Sequence, residues 1–409
     1  YDNMRFDMIE LNEFISKYVT KRRNSMFLSD IESNEYEIYN NIHKKSILVI
    51  GGAGSIGSQY IKSVLRYSPK SLTVVDINEN GLAELTRDLR SSSNIVVPDL
   101  YITYAMDYAS SMFKKMFINH GKYDIVANFS AHKHVRSEKD IISVEAIIRN
   151  NLLNAKKLLD ILKIFPPDIY FCVSTDKAAN PVNIMGASKR LMEDLIFSYS
   201  DYFPVKTARF ANVAFSNGSL PDGFLYRMKK KQPLSAPSDV LRYFVSPEES
   251  GQICMLASIL GKNREIFYPK LKEKTMMSFD QIARDLIVSN GYTVYECESE
   301  RQAIKKSLEL KVGGTEYPVY FSKSNTSGEK EYEEFYIDSE KTDETRFNGL
   351  GVIIDKQKVS IEKVQKLFET FNNAFLNENV TKNDIVKIIK GYLPEFVHIE
   401  KGKSLDEKM

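Results

Sequence analysis

The feature that most constrains this chain is a rhythm from Ser46 to about Val213, in which short apolar segments alternate with amphipathic stretches. SILVIG opens it, and SLTVVD, DLYITYAMD, DIVANFS, DIYFCVSTD and VKTARFANVA follow. Between them lie segments such as SVEAIIRNNLLNAKKLLDILKIF and SKRLMEDLIFSYSDYF, whose apolar residues recur at helical spacing. Strands that apolar need cover on both faces, and the intervening helices supply it. The pattern predicts an α/β fold built on a parallel, doubly wound sheet.

Residues 1–45 read as a helical extension, with Ser29 and Glu32 at capping-box spacing. After 213 the alternation fades. SNGSLPDGFLYRMKKKQPLSAPSD, rich in Pro, Ser and Gly, marks a crossover into a smaller region. We therefore expect a sheet domain over 46–213, a substrate region over 214–354 and a helical tail over 355–409. In the tail, SIEKVQKLFETFNNAFL and TKNDIVKIIKGYL have helical period, and Thr381 is placed to cap the second. The polar stretch SKSNTSGEKEYEEFY (322–336) reads as a solvated loop.

Composition excludes several classes. At 43% hydrophobic and 27% charged residues, the 409-residue chain is that of a globular protein. Its net charge of +2 is not the footprint of a nucleic-acid binder, and the run Met228–Lys231 reads as a solvated helix end. No run approaches the roughly 18 apolar residues of a membrane span, and the first residues lack a signal-peptide pattern. The sequence begins at Tyr1 rather than Met, so an upstream segment stays open. Cys172, Cys254 and Cys297 lie far apart without metal or redox spacing, and Cys172 falls in an apolar run. A reducing cytoplasm is the expected setting.

SILVIGGAGSIG places Gly51, Gly54 and Gly57 after the first strand and at the opening of a helix, with Ser55 and Ile56 between the last two. Glycine lets the backbone turn tightly and approach a pyrophosphate, which the helix N-terminus then receives. This is the Rossmann arrangement, with Gly-x-x-Gly-x-x-Gly spacing. Asp76 ends the next strand, 19 residues past Gly57. A carboxylate there accepts from both adenosine ribose hydroxyls and repels a 2′-phosphate, so NAD is expected rather than NADP. Asp107, at the end of the third apolar segment, is a candidate adenine contact.

Four stretches carry a resemblance: GGAGSIG, NFSAHKHV, VSTDKAANPVNIMGASKR and RFANVAFSNGS followed by RYF. Together they cover most of residues 46–250. The chain resembles extended short-chain dehydrogenases, and within them the nucleotide-diphospho-N-acetylhexosamine 4,6-dehydratases of capsule, flagellin-glycan and nonulosonic-acid biosynthesis. Its far region resembles the long-tailed legionaminic-acid-pathway members. The resemblance implies oxidation of the sugar at C4, loss of water across C5 and C6, and return of the hydride to C6. The product would be a 4-keto-6-deoxy sugar. NAD would be recycled and held tightly.

Thr175, Asp176 and Lys177 follow the strand IYFCVS, and in open α/β sheets ligands sit outside the carboxyl ends of strands. Elimination needs an acid for the departing C6 hydroxyl and a base for C5–H. Asp176, as a carboxyl of raised pKa, is the expected acid, and Lys177, made neutral by desolvation or by Lys189, the expected base. Thr175 is expected to bond the C4 hydroxyl. Met185 and Lys189 stand four apart on one helical face. Most relatives have a tyrosine at the first of these positions, which takes the C4 proton. Met cannot, so the resemblance gives that proton to Asp176 or Thr175 and leaves Lys189 to hold the nicotinamide ribose. Met185 here reads as the mark of a branch, which the resemblance ties to retention at C5.

The same resemblance places Asn128, Phe129, Ser130 and Ala131 along the cofactor and turns Lys133 and His134 to the substrate. His132 and His134 stand two apart with no further ligand cluster, so no metal is expected. Asn212 and Ser219 match positions that bond the nucleotide diphosphate, and Arg242 matches the arginine that grips it. Ala211 stands where the family has Gly, Leu241 where it has Thr, and the family has one more residue before Pro221. These departures bear on the base, with uridine expected and guanosine open. The competing readings are a nucleotide-sugar 4-epimerase, which would use the missing tyrosine, and an inactive nucleotide-sugar-binding scaffold. A homo-oligomer is expected, since two helices of such folds commonly pair across a dimer.

Overall fold

The computed structural model describes residues 10–134, 138–324 and 334–399. Nine strands form the principal sheet. Six come from the rhythmic region: β1 (Ser46–Ile50), β2 (Ser71–Asp76), β3 (Leu100–Ala105), β4 (Ile125–Asn128), β5 (Ile169–Val173) and β6 (Val205–Ala208). Their order is 3-2-1-4-5-6, all parallel. β1, β4 and β5 are buried almost throughout, as continuous Val and Ile runs require. The order reverses between β1 and β4, which opens a crevice at their carboxyl ends.

The sheet does not end with the rhythmic region. Ile266–Pro269 adds parallel to β6, and Leu350–Ile353 and Thr342–Asp343 extend the edge antiparallel. Residues 214–354 therefore divide between two layers instead of standing apart. The remainder builds a small parallel sheet of Leu234–Pro237, Thr293–Glu296 and Glu316–Ser322, with the helix Phe279–Ser289 against it. Residues 325–333 of the polar stretch lie outside the described residues.

The N-terminal extension straddles both units. Phe14, Ile15 and Val19 join the apolar cluster of the small unit, while Phe27, Ile38 and Ile42 join that of the large sheet. The expected Ser29 capping box does not form. The helix begins at Leu28, and the buried Asp30 beside Ser29 instead accepts from the backbones of Asn348 and Gly349. In the tail, the helices Ile361–Phe375 and Lys382–Tyr392 form as read, the second capped by Thr381 with Asp384.

Candidate active site

The parallel register brings the carboxyl ends of β1, β2, β4 and β5 to one edge: Ile50 stands beside Val75 and Asn128, and Asn128 beside Cys172. The glycine loop leaves β1 here. Gly51 has φ +75°, and a Cβ on it would lie 2.7 Å from the Ser130 nitrogen. A Cβ on Gly57 would lie 2.3 Å from the Gly51 carbonyl, so the helix Ser55–Leu65 can start only against a bare turn. Gly54 is different. It is exposed, and only the Gly51 carbonyl stands near its missing Cβ, at 3.4 Å. The loop is tight below and open above, the form a dinucleotide pyrophosphate needs.

Asp76 ends β2 as read. One of its oxygens accepts from Ala53 N at 3.0 Å and the other from Asn78 N at 2.9 Å, so it braces the glycine loop from below. Asn78, not Asp76, caps the following helix. Asp107 is exposed two residues past β3 and accepts from Ala109 N. Ile56 packs on the main core. The Ser55 hydroxyl accepts from Asn217 N at 2.9 Å, tying the cofactor loop to the substrate-side loop.

After β4, the Asn128 side chain accepts from Ser130 N at 2.9 Å. The Phe129 ring turns into the core, 5.0 Å from Tyr60 and 5.9 Å from Phe171. That residue offers the crevice its backbone. Ala131 follows, half-buried. Lys133 is exposed yet flanked by protein, and desolvation lowers its pKa against the pull of Asp222. His134 stands against the turn at Gly218, whose missing Cβ would lie 3.2 Å from Nε2. Ser219, in the same turn, caps the helix Leu220–Lys229. Asn212 pairs with Phe244, two residues beyond the buried Arg242, which donates to the Leu241 carbonyl at 2.8 Å. His134 with Ser219, and Asn212 with Arg242, thus form two neighbouring groups.

Thr175, Asp176 and Lys177 follow β5 in a single 3-10 turn. Asp176 is 3% exposed. Its Oδ1 accepts from Thr175 Oγ1 at 2.8 Å and Lys177 N at 2.9 Å, with Lys177 Nζ 3.1 Å away. Three donors on one oxygen suit a carboxylate paired with an ammonium. The two neighbours turn onto each other, so Asp176 and Lys177 stand as a close pair.

Met185 and Lys189 lie in the first turns of the helix Ile184–Ser198, capped by Asn183. Met185 is buried but belongs to neither large apolar cluster. Lys189 is buried and donates to the Val173 carbonyl at 3.0 Å; desolvation lowers its pKa. Gly186 lets this helix meet the Thr175–Lys177 turn, since a Cβ there would lie 2.7 Å from the Lys177 carbonyl.

Sequence reading missed Asn151. It sits in a π-helical turn, Arg149–Leu153, accepts from His132 N at 2.8 Å, and donates to the His132 carbonyl and to Ser188 Oγ. One side chain so joins the loop after β4 to the Met185 helix. The π turn inside SVEAIIRNNLLNAKK was the available signal, but it shows only in the backbone. Among the described residues no three His, Cys, Asp or Glu side chains cluster as a metal site, and no helix is long and apolar enough to cross a membrane.

Comparison with known proteins agrees with this architecture. The family model described as polysaccharide biosynthesis protein matches residues 47–354. A probable polysaccharide biosynthesis protein, EpsC, of Bacillus subtilis is 27% identical over 74% of this chain; the chain spans about half of that relative, 49%. A Campylobacter jejuni UDP-N-acetylglucosamine 4,6-dehydratase (inverting) is 24% identical over 85% of this chain and 98% of its own. A Rickettsia canadensis UDP-glucose 4-epimerase is 25% identical over 80% of this chain and 96% of its own. Among solved structures, Pen from Bacillus thuringiensis superposes with a TM-score of 0.61 at 19% identity, covering 81% of this chain and 98% of that one. With its switch-point crevice, glycine loop and matched span, this chain belongs to the polysaccharide biosynthesis protein family, on the extended short-chain dehydrogenase fold.

Proposed function

We propose that this protein is an NAD-dependent 4,6-dehydratase of a nucleotide-diphospho-N-acetylhexosamine, with the UDP sugar favoured over the GDP sugar and with retention at C5. The observation that carries the reading is the Thr175–Asp176–Lys177 turn at the end of β5, beside a helix that has Met185 where an epimerase would need its tyrosine. The open glycine loop fits the cofactor, and Asp76 and Lys189 are its proposed ribose contacts. When bound, NAD would supply the acceptor and later the donor of the C4 hydride.

The residues divide the proton work. Thr175, 2.8 Å from Asp176 Oδ1, can pass the C4 hydroxyl proton to that carboxylate, replacing the tyrosine. Asp176 then gives this proton to the departing C6 hydroxyl, which leaves as water. While Asp176 carries that proton, its pull on the Lys177 ammonium weakens, and Lys177 can shed a proton to solvent. Lys177 takes the C5 proton, exchanges it with solvent, and delivers a solvent proton to C5 at the close. Lys133, His134, Asn212, Ser219 and Arg242 are the proposed substrate contacts. Three free, buried cysteines fit a cytoplasmic setting. A homo-oligomer would pair through a face other than the helix Ile184–Ser198, whose residues are all buried except Arg190.

Proton NMR with UDP-N-acetylglucosamine and its GDP counterpart in D₂O tests the reading. A 6-methyl signal, a 4-keto or hydrate species and deuterium at C5 are expected. A C4 epimer alone would make it an epimerase, and an unchanged sugar a scaffold. Asp176→Asn and Lys177→Ala should each abolish turnover, by roughly a thousandfold or more, while retaining NAD. Near wild-type dehydration by either would refute its role.

A further inference from the structure

The end of the tail returns to the wall of the crevice. Leu393 and Phe396 anchor it in the main core. Beyond them, Ile399 N donates to the Val182 carbonyl at 2.9 Å, one residue before the cap of the Met185 helix. Beside this contact lies Glu138, four residues after His134. Its side chain is 5% exposed. Oε2 accepts from Ile184 N at 2.7 Å, and Oε1 lies 2.6 Å from His398 Nε2 and 3.6 Å from Lys382 Nζ. One carboxylate thus joins three separate segments: the strand β4 loop, the start of the Met185 helix and the tail.

The first N–H groups of a helix have no partner within it, and a carboxylate there is favoured by the helix dipole. This helix, however, has its own cap, since Asn183 accepts from Gly186 N at 2.7 Å. Glu138 is therefore not needed to start the helix. Its effect is to hold the loop that carries Lys133 and His134 at a set distance from the helix that carries Met185 and Lys189. The tail supplies the other half of the clamp through His398 and Lys382.

We propose that Glu138 is a positioning residue for the active site and that the C-terminal tail is a strap completing it, so that the crevice keeps its width only while residues 396–399 are docked. The proposal rests on the reading of those two walls given above. Its test is hydrogen exchange by mass spectrometry on the full chain with NAD, for wild type, Glu138→Ala, Glu138→Gln and His398→Ala. Removing a charge-assisted bond should speed exchange in 130–134 and 182–190 by roughly tenfold in Glu138→Ala and His398→Ala, with β1, β2 and β3 unchanged. Glu138→Gln keeps the shape and one acceptor and should restore most of the protection. Exchange within twofold of wild type in His398→Ala overturns the strap, and in Glu138→Ala the whole proposal. So does an equal rise in β1 to β3, which would be general loosening. The exchange readout needs no turnover, so it fails or stands apart from the dehydratase reading. If that reading holds, the same variants lower kcat more than they raise KM.

Discussion

Among single residues, burial decides what an amine in this protein can do. Lys189 and Lys133 are both pulled down by desolvation. Lys206 shows the same effect. It sits on β6, donates to the Ser258 carbonyl at 2.7 Å, and desolvation lowers its pKa to about 8. A lysine whose folded pKa lies below its unfolded value of 10.5 costs stability while charged, and that cost fades as pH rises from about 8 to 10.5. Lys206→Met should raise stability at pH 7 by about 1–2 kcal/mol after loss of the hydrogen bond. Urea unfolding at pH 7 and above pH 10 checks this, with the gain expected to vanish at the higher pH. The identity of the Thr-Asp-Lys turn was legible in the sequence because strand ends are local. The pairing of Asp176 with Lys177 was not, because it depends on rotamers set by the packed helix beside them.

At the scale of elements, the helix Ile184–Ser198 is the piece on which the site depends. Its sequence showed Met185 and Lys189 on one face. It did not show Gly186 as a contact point. Gly186→Ala would add about 1 kcal/mol of helix propensity, but its Cβ would lie 2.7 Å from the Lys177 carbonyl. That atom is backbone and can yield only if the Thr175–Lys177 turn moves. Gly186→Ala should therefore lower kcat roughly tenfold or more while its melting temperature stays within a few degrees. Paired kinetics and thermal melts test this, and wild-type kcat would mean the turn tolerates the shift. The stretch over 143–165 reads as one helix by its period. It is interrupted by a π turn because Asn151 must reach His132, and a demand made by a residue 19 positions away leaves no local trace.

For the molecule as a whole, a buried charge cluster ties the catalytic sheet to the chain beyond it. Arg209, fully buried after β6, forks onto Glu193 of the Met185 helix at 2.7 and 2.8 Å and onto Glu340 at 2.7 and 2.9 Å. Ser174, next to the Thr175–Lys177 turn, donates to the same Glu193 at 2.6 Å. Buried charges of this kind are tolerated only when every partner is present. Desolvation pushes the Glu340 carboxyl up, but Arg209 and Lys356 outweigh it and bring it down to about 2. Its contribution is therefore complete above about pH 4.5 and is lost as pH falls towards 2. Glu340→Gln should destabilise the protein by about 2–4 kcal/mol at pH 7, with the difference shrinking through that window. Acid unfolding followed by circular dichroism is the measurement.

What the sequence determined by itself was periodic or contiguous: the apolar strands, the helices that cover them, the glycine loop and the Thr-Asp-Lys turn. A strand or a cap is specified by residues within a few positions of one another, so its signal survives without the fold. Tertiary structure alone decided the rest. It placed 266–269 and 342–353 on the main sheet, split the N-terminal extension between two cores, brought Arg209 to Glu340, and laid His398 on Glu138. The last of these joins residues 260 positions apart. Each depends on close packing and on the need to pair every buried charge, which become definite only when the whole chain has closed on itself.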